Sequence, residues 1–283
     1  MILNMISILF ALISRLPISV LIFLAHVFAR VMIFSNSAQY KATKKNIYYC
    51  YEKDTQLVKK SFYETAELLM IFPYICGRTE NYKNLIDKDS LEQVQFDSEK
   101  PKLFFTLHMG CVDLNVYVLS EALEQINVLY TPAKNKSLDR LLMKARESLG
   151  AKMIPANQKG ITEIYKSFLG GKNTLIASDL VPHNKGVYEK FFNKECYCLD
   201  IVEKLSHKNS HELFFIYLSK GKSKKYKIVL EKISSPLTTA QMNQYFERAI
   251  KEAPELYGWE YKKFRKLRAN LRIFINFSNK MEK

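Results

Sequence analysis

The sequence predicts an α/β fold: a mixed, mainly parallel sheet flanked by helices, with an apolar N-terminal membrane-anchoring helical segment. From residue 90 onward, short apolar runs alternate with segments of helical periodicity, which is typical of a sheet covered on both faces. Residues 1–34 are dominated by apolar side chains. Hydrophobic residues make up 48% of 283 positions, enough for a large core. We therefore expect a membrane anchor over residues 1–35 and one α/β domain over residues 36–283.

The apolar N-terminus breaks at Arg15-Leu-Pro17. The second part, residues 18–34, has about the minimum length for a membrane-spanning helix. It also carries His26 and Arg30, which the centre of a bilayer disfavours. A membrane-buried or interfacial anchor is therefore expected in preference to a simple span. The alternative is a pair of buried helices that packs on the domain.

The charge and the cysteines restrict partners and compartment. A formal net charge of +15 favours an anionic partner: nucleic acid, an anionic membrane surface or an acidic protein. No nucleic-acid-binding motif is recognised, so nucleic acid is not expected. Lys41, Lys44 and Lys45 follow the apolar segment, and such basic flanks stay cytoplasmic. The five cysteines show no disulfide framework, which indicates a reducing compartment.

Periodicity predicts the individual elements. Strands are expected at residues 91–96, 102–107, 127–130, 174–178, 212–218 and 226–233. Helices are expected at residues 54–75, 113–125, 138–149, 161–169 and 240–251. The last two strands should form an antiparallel hairpin, which makes the sheet mixed. Thr238 and Gln241 have the spacing of a capping box for the last helix.

A histidine and an aspartate stand where the first central strand gives way to a helix. The apolar run 103–107 delivers His108 to the carboxyl end of the strand, and Asp113 begins the helix. Open α/β sheets bind ligands at that edge. A histidine there can take a proton from a hydroxyl, and a nearby carboxylate can orient its ring. The alternative is that Asp113 caps the helix and His108 belongs to the core.

Two further strand ends point to the same edge. Asp179 follows strand 174–178, and Lys134 and Asn135 follow strand 127–130, within reach of a phosphate. Three strand ends that converge on one edge predict a site without reference to any family. For Asp179, the alternative is a turn-capping role.

Arg146 lies on the predicted helix 138–149. Its position predicts a bidentate contact to an anionic substrate group or to a developing oxyanion. A salt bridge with Asp139 or Glu147 is the alternative.

Three other patterns carry chemistry less directly. Cys196-x-Cys198 with His207-x3-His211 suggests zinc, but the cysteines are closer together than in zinc motifs, so we expect no metal. Cys111, within the histidine motif, is an alternative nucleophile. Glu64 and Glu67 on helix 54–75 are expected to be solvated. The basic run 262–272 has the spacing of an amphipathic helix for anionic lipid or an acidic carrier, or else a solvated face.

The order of these segments resembles the lysophospholipid acyltransferase superfamily, and within it the bacterial lipid A late acyltransferases. Four blocks carry the resemblance over nearly the whole chain: His108 to Asp113; residues 130–139 with Arg146 and Gly150; residues 179–182 with 186–192; and residues 254–259 with the basic 262–265.

The resemblance implies an acyltransferase that needs no cofactor and no metal. It makes His108 and Asp113 the catalytic dyad, and it implies substrate-binding roles for Arg146, Asp179, Lys134 and Asn135. For Asp179 the implied role is to contact the acceptor or to organise the site. The implied donor is an acyl carrier protein thioester, or coenzyme A, and the implied acceptor is a hydroxyl of an anionic glycolipid such as a lipid A precursor. Transfer would be direct, at the cytoplasmic face of the bacterial inner membrane.

Three departures from the family pattern concern the acceptor. Thr131 stands where many relatives have arginine, Asn193 stands where glycine is usual, and the segment 194–199 also differs. One alternative is therefore an acyltransferase for another lipid acceptor: a phospholipid, an ornithine-type lipid or a pigment lipid. A second alternative, which rests on the net charge of +15, is a non-catalytic basic membrane-surface protein.

Overall fold

The computed structural model describes residues 2–123, 125–182, 185–208, 210–222 and 225–266, with only the backbone at residues 2–4. Within these ranges the strands are β1 Lys102–Thr106, β2 Ile126–Tyr130, β3 Ala151–Pro155, β4 Asn173–Ala177, β5 Val187–Phe191, β6 Lys194–Cys198, β7 Glu212–Lys220 and β8 Tyr226–Ile233. The helices are α1 Ile2–Ile13, α2 Ile18–Phe34, α3 Ala38–Cys50, α4 Thr55–Gly77, α5 Lys88–Glu92, α6 Asp113–Ala122, α7 Lys136–Glu147, α8 Gln158–Leu169, α9 Ile201–Ser206 and α10 Thr239–Glu252.

Six of these strands form one sheet in the order β3-β2-β4-β1-β7-β8. Every neighbouring pair is parallel except β7 and β8, which are antiparallel. The mixed, mainly parallel sheet and its antiparallel closing hairpin are therefore confirmed, as is the capping box of Thr238 and Gln241 on α10. Because five strands run in the same direction, their carboxyl ends meet at one edge of the sheet.

Strand β1 lies between β4 and β7, and all of its residues are buried. Phe104 stacks on Phe214 with ring centroids 5.4 Å apart, and Phe105 stacks on Phe215 at 4.9 Å. Continuous apolar runs are typical of parallel strands that are covered on both faces. Aromatic pairs of this kind contribute about 0.5–1.5 kcal/mol each beyond simple burial. The packing of β1 therefore fixes the point at which the strand ends and the following loop begins.

The strand expected at residues 91–96 is wrong. Residues 88–92 form α5, whose N-cap Asp87 accepts a hydrogen bond from the backbone N–H of Asp89. Phe96 lies in the following loop and packs edge-on against Phe104 and Phe214. The apolar alternation in this stretch reflects burial of a loop and not pairing in a sheet. Edge strand β3 was not expected, because it is short and ends in Pro155.

The small antiparallel sheet of β5 and β6 was not expected either. Its strands are joined by Phe192 and Asn193, with φ of 50° and 56°. Two residues with positive φ form the turn that matches the twist of a hairpin, and asparagine tolerates that conformation well. Asn193 therefore occupies the usual glycine position without loss of the turn. Phe192 is held there because its N–H donates to Glu247 Oε1 at 2.8 Å.

The two N-terminal helices meet at an angle of 114°. Among the described residues, no single helix has both the length and the hydropathy to cross a membrane, and only this bent pair meets those criteria jointly. Helix α2 turns Ala25 and Ala29 towards Phe62 and Ala66 of α4. Small side chains allow the two helices to pack closely through that face.

The outer face of the pair remains apolar. Twelve of the fifteen large hydrophobic side chains that are exposed in the described chain lie on α1, on α2 or between them: Met5, Ile8, Leu9, Leu12, Leu16, Val20, Phe23, Leu24, Val27, Phe28, Val31 and Phe34. The pair is therefore not buried on the domain, as the alternative supposed, but packs through one face only. His26 Nε2 is turned towards the domain, 2.6 Å from Glu67 Oε1.

Residues 262–266 form turns and bends, and not the basic amphipathic helix that was expected at residues 262–272. Residues 267–272 lie outside the described residues. Phe264 packs against the core beside Phe191, with ring centroids 6.2 Å apart. This stretch is therefore held by tertiary contacts.

We predict that Gly110→Ala lowers the free energy of unfolding by about 2–4 kcal/mol, because a left-handed residue costs about 1–2 kcal/mol and overpacking adds a similar amount. Gly110 has φ of 61°, and a Cβ there would lie 2.8 Å from Cε1 of Tyr226. Gly171→Ala is the control, since Gly171 has φ of 81° but no atom within 4 Å of its Cβ position. Thermal unfolding should show a clearly smaller loss for Gly171→Ala. Equal losses would mean that the contact with Tyr226 is relieved without cost.

Candidate active site

The centre of the site is a contact between His108 and Asp179, at the ends of two adjacent parallel strands. Thr106 of β1 pairs with Ala177 of β4, so the residues two positions further along each strand are level. Nδ1 of His108 lies 2.7 Å from Oδ1 of Asp179. The backbone N–H of His108 donates to Oδ2 at 3.1 Å. One carboxylate therefore fixes both the backbone and the ring of the same histidine.

The histidine has one nitrogen that faces outward. The side chain of His108 is 39% exposed, whereas that of Asp179 is only 2% exposed. With Nδ1–H donating to the carboxylate, Nε2 carries the free lone pair. No hydrogen bond to Nε2 is found among the described residues. The arrangement is suited to take a proton from a bound molecule at Nε2.

The charges of the pair stabilise each other. Loss of hydration lowers the pKa of His108. The charge and hydrogen bond of Asp179, together with the charges of Asp113 and Glu260, outweigh that effect, so the pKa is raised. Loss of hydration raises the pKa of Asp179. His108, and to a smaller extent Lys263, lower it by more than that, so the pKa lies below its ordinary value. Asp179 is therefore a carboxylate at neutral pH, and it increases the basicity of His108.

Asp113, the expected partner of His108, instead pairs with Arg146. The guanidinium makes two contacts, Nε to Oδ1 at 2.5 Å and Nη2 to Oδ2 at 3.2 Å. Asp113 was expected to orient His108 or to tune its pKa. Asp179 orients the ring, because β4 presents its carboxylate level with the histidine, while the charge of Asp113 still raises the pKa of His108. Asp113 does not cap its helix either, since Val112 is the N-cap residue of α6.

Arg146 therefore binds a residue of the protein through the bidentate geometry that was expected for a substrate. Its salt-bridge partner also differs from both expected alternatives. Asp139 accepts from the N–H of Ala133 at 2.8 Å, and Glu147 accepts from that of Met153 at 3.3 Å. The side chain of Arg146 is 17% exposed, so the pair is largely shielded from water.

Lys134 and Asn135 lie on the loop after β2, which is separated from β1 by β4. Lys134 is exposed, and Asn135 is the N-cap of α7, where its Oδ1 accepts from the N–H groups of Ser137 and Leu138. No hydrogen bond or ion pair joins either residue to His108 within the described part of the chain. The edge is shared as expected, but the contact of Lys134 with a ligand stays a prediction.

A second wall of the site comes from the segment after α10. Met109 pairs with Tyr257, and the N–H of Gly258 donates to the carbonyl of His108 at 2.9 Å. Glu260 follows and accepts from Thr65 Oγ1 of α4 at 3.2 Å. Burial raises the pKa of Glu260. The segment thus places a third acid near the histidine, after Asp179 and Asp113.

The sequence predicted that the two glutamates of α4 are solvated, but both contact a side chain of another helix or strand. Glu67 contacts His26, and Glu64 lies 3.3 Å from Lys220 Nζ. Loss of hydration, and then the charge of Glu67, raise the pKa of Glu64. Both side chains therefore connect α4 to its neighbours.

Lys263 lies in the basic part of the fourth family block, but the sequence did not reveal its burial or its contact with the site. It is 2% exposed, and its Nζ donates to the backbone carbonyl of Asp179 at 2.5 Å. Arg265 and Lys266 donate to the carbonyls of Val181 and Pro182 at 3.2 and 2.6 Å. A run of cations normally indicates a solvated surface. The one signal against that was the adjacent Phe264, an aromatic residue within the basic run.

The remaining sequence alternatives do not form a site. The thiol of Cys111 is buried, and loss of hydration raises its pKa well above the ordinary value, so it is a poor nucleophile. The sulfurs of Cys196 and Cys198 lie 3.2 Å apart in the core. In the ranges described, no group of three or more histidine, cysteine, aspartate or glutamate side chains has the geometry to hold a metal ion.

Comparison with known proteins identifies one family. The family model described as bacterial lipid A biosynthesis acyltransferase matches residues 2–266, which include both N-terminal helices and all the site residues above. No curated protein matches the chain at a significant level.

We predict that Arg146→Ala lowers the free energy of unfolding by about 3–5 kcal/mol, because it leaves a buried carboxylate without its partner. Adding Asp113→Asn to Arg146→Ala should recover part of that loss, since the uncompensated charge is then removed. Arg146→Lys should fall between wild type and Arg146→Ala, because an ammonium group cannot make the bidentate contact. Thermal unfolding of wild type, of these variants and of Asp113→Asn alone measures the coupling. Additive losses from the two single variants would show that the pair is not coupled.

Proposed function

The chain belongs to the bacterial lipid A biosynthesis acyltransferase family and is an acyltransferase, and we propose that it moves a fatty acyl group from a carrier thioester to a hydroxyl of an anionic glycolipid such as a lipid A precursor. The observation that carries the proposed mechanism is the His108–Asp179 pair. A half-exposed imidazole, oriented by a buried carboxylate, is the group that a direct transfer needs.

In the proposed reaction, Nε2 of His108 takes the proton of the acceptor hydroxyl as its oxygen attacks the thioester carbon. A C–O bond forms, the C–S bond breaks, and the imidazolium returns the proton to the leaving thiolate. The products are an ester and a free thiol. Asp179 stabilises the imidazolium during this sequence, because its carboxylate is 2.7 Å from Nδ1.

This proposal alters the role of the aspartate in the His-x4-Asp motif. Asp113 acts on His108 through its charge, which raises the pKa of the imidazole, and not through a direct hydrogen bond. Arg146 holds that carboxylate in place. The pair is therefore proposed to position the start of α6 beside the histidine, with Asp179 as the direct partner of the base.

For the donor, we propose acyl carrier protein, with coenzyme A as the alternative. The net charge of +15 favours an acidic protein over a small donor, because long-range attraction accelerates the encounter of oppositely charged proteins. The basic residues 263, 265 and 266 are engaged with backbone carbonyls, so they are poor candidates for the docking surface. Lys134, exposed at the same sheet edge as His108, is a better candidate for a donor or acceptor phosphate.

We also propose that residues 1–35 attach the protein to the cytoplasmic face of the inner membrane, with residues 36–283 as the acyltransferase domain. The support is the apolar outer face of α1 and α2, which has no protein partner in the described chain. Lys41, Lys44 and Lys45 follow directly and suit anionic headgroups. The angle of 114° between the helices favours insertion into one leaflet over a straight span.

We predict that His108→Ala lowers acyl transfer by at least about 100-fold, the scale of a lost general base, and that Asp179→Asn causes a loss of at least about 30-fold, since the imidazolium then lacks its carboxylate. Asp113→Asn should cost less than Asp179→Asn, because it removes no hydrogen bond from the ring. The assay is mass spectrometry of a lipid A precursor after incubation with the purified protein and acyl-carrier-protein or coenzyme A thioesters.

Three results of that assay would contradict parts of the proposal. If Asp113→Asn is inactive and folded while Asp179→Asn is near wild type, the dyad is His108–Asp113 after all. If a phospholipid, an ornithine-type lipid or a pigment lipid is acylated and the lipid A precursor is not, the acceptor is wrong. If no lipid is acylated with either donor, the non-catalytic alternative of a basic membrane-surface protein becomes the better description.

We predict that replacing Phe23, Val27 and Val31 by serine releases most of the protein from liposomes that contain anionic lipid, because each buried apolar side chain contributes about 1.5–3 kcal/mol. These residues are exposed on α2, at 63%, 41% and 59%. The control is Ile161→Ser, since Ile161 is also exposed but lies on α8. Flotation measures the bound fraction. Unchanged flotation of the triple variant would place membrane attachment elsewhere.

A further inference from the structure

Lys263 is a buried cation without a carboxylate in direct contact. Its side chain is 2% exposed. Nζ lies 5.3 Å from the ring centre of Phe191 and donates to the carbonyl oxygen of Asp179. In the part of the chain that the structure describes, no acid lies within ion-pair distance of Nζ.

A cation in that setting is costly. Removing an ammonium group from water costs several kcal/mol, and a neutral side chain of similar size fills the same space at less expense. One carbonyl and one aromatic face compensate only in part. A packing role alone therefore does not account for a lysine here, and its charge must act on a neighbouring group.

The group on which this charge acts is the carboxylate of Asp179. Lys263 donates to the backbone carbonyl of Asp179, and its charge favours the ionised form of the Asp179 carboxylate. The same loop is held at Val181 by the hydroxyl of Tyr261, which accepts from the backbone N–H at 2.8 Å, and by Arg265. Within the described residues, no hydrogen bond or ion pair joins Tyr261 or Arg265 to Asp179, so Lys263 differs from both in its bond to Asp179 and in its burial.

We infer that Lys263 is a positioning residue for acyl transfer: it holds Asp179 against His108, and its charge keeps the imidazole of His108 available as a base near neutral pH. The inference deepens the proposed function and rests on it for its catalytic consequence. The electrostatic part is a property of the folded protein and can be measured without any substrate.

The direction of the effect follows from the charges that face the pair. Asp179 and Asp113 face His108 as anions, and Glu260 adds to them when ionised. Lys263 opposes these acids, because a positive charge near an imidazole disfavours the imidazolium. The charge of Lys263 also acts on the thiols of Cys196 and Cys198, where it favours the thiolate, although their mutual hydrogen bond has the larger effect. Removing the charge of Lys263 should therefore raise the pKa of His108.

The experiment compares Lys263→Gln, Lys263→Arg and wild type by NMR titration of the His108 imidazole in ring-labelled protein, with His108→Gln used to assign the signal. Glutamine keeps a donor for the Asp179 carbonyl but removes the charge. We expect the pKa of His108 to rise by about 0.5–1.5 units in Lys263→Gln, because a full charge is removed from the residue that contacts the imidazole-binding Asp179, and to change little in Lys263→Arg. Lys262→Gln is the matched control, because Lys262 is the adjacent lysine and is exposed.

Activity provides the second measurement. In Lys263→Gln, the acidic limb of the profile of kcat/KM against pH should move upward by the same amount as the NMR pKa, with a loss of no more than about fivefold on the plateau. A purely structural lysine would lower the plateau and leave the limb in place. Should Lys263→Gln fail to fold, Lys263→Met provides a second neutral variant, since its unbranched apolar chain fits the space of the lysine stem.

Each outcome decides one of the two proposals. An unchanged or lowered pKa of His108 in a folded neutral variant overturns the role of Lys263, whatever the activity. An equal rise in Lys262→Gln also overturns it, because general surface charge is then responsible. A wild-type protein that acylates no lipid overturns the proposed function, while the NMR titration still tests the electrostatic role of Lys263.

Discussion

The register between β1 and β4 is the constraint on which the site depends. Thr106 lies opposite Ala177, and two residues further along both strands His108 meets Asp179. A shift of one residue would turn one of these side chains to the other face of the sheet, because side chains alternate along a strand. The stacked phenylalanines of β1 and β7 fix the central strand from its other side. The geometry of the His108–Asp179 pair is therefore a consequence of how the core of the sheet is packed.

A second constraint closes the site from the C-terminal side. The side-chain amide of Asn46 donates to the carbonyls of Trp259 and Tyr261, at 2.6 and 2.8 Å, and Trp259 is almost fully buried. This anchors the segment that supplies the pairing at Met109 and the cations at the Asp179 loop. Residues from both ends of the chain thus hold a loop in the middle of the sequence. Such long-range closure carries a high entropic cost in folding, which is offset only when the whole core forms.

The sequence predicted the fold class and much of the topology because those depend on local periodicity. It also placed His108, Asp179 and Lys134 correctly at one edge, since that follows from strands of known direction. It did not reveal that β4, and not the following helix, supplies the partner of His108, because strand order is set by packing between distant segments. Lys263 was missed for the same reason: a lysine in a basic run shows its burial only after the tertiary structure is formed. The false strand at residues 91–96 shows the opposite case, in which apolar alternation serves a buried loop.

Helix α4 connects the two surfaces that a lipid-modifying enzyme must bring together. One of its faces receives Ala25 and Ala29 of α2, whose opposite side is apolar and exposed. Thr65, on the same helix, contacts Glu260 at the wall of the site. A lipid substrate cannot leave the bilayer without loss of about 0.8 kcal/mol for each methylene exposed to water. Since a single helix runs from the apolar pair to the wall beside His108, the proposed membrane attachment through α1 and α2 would set the height of the proposed base above the lipid surface.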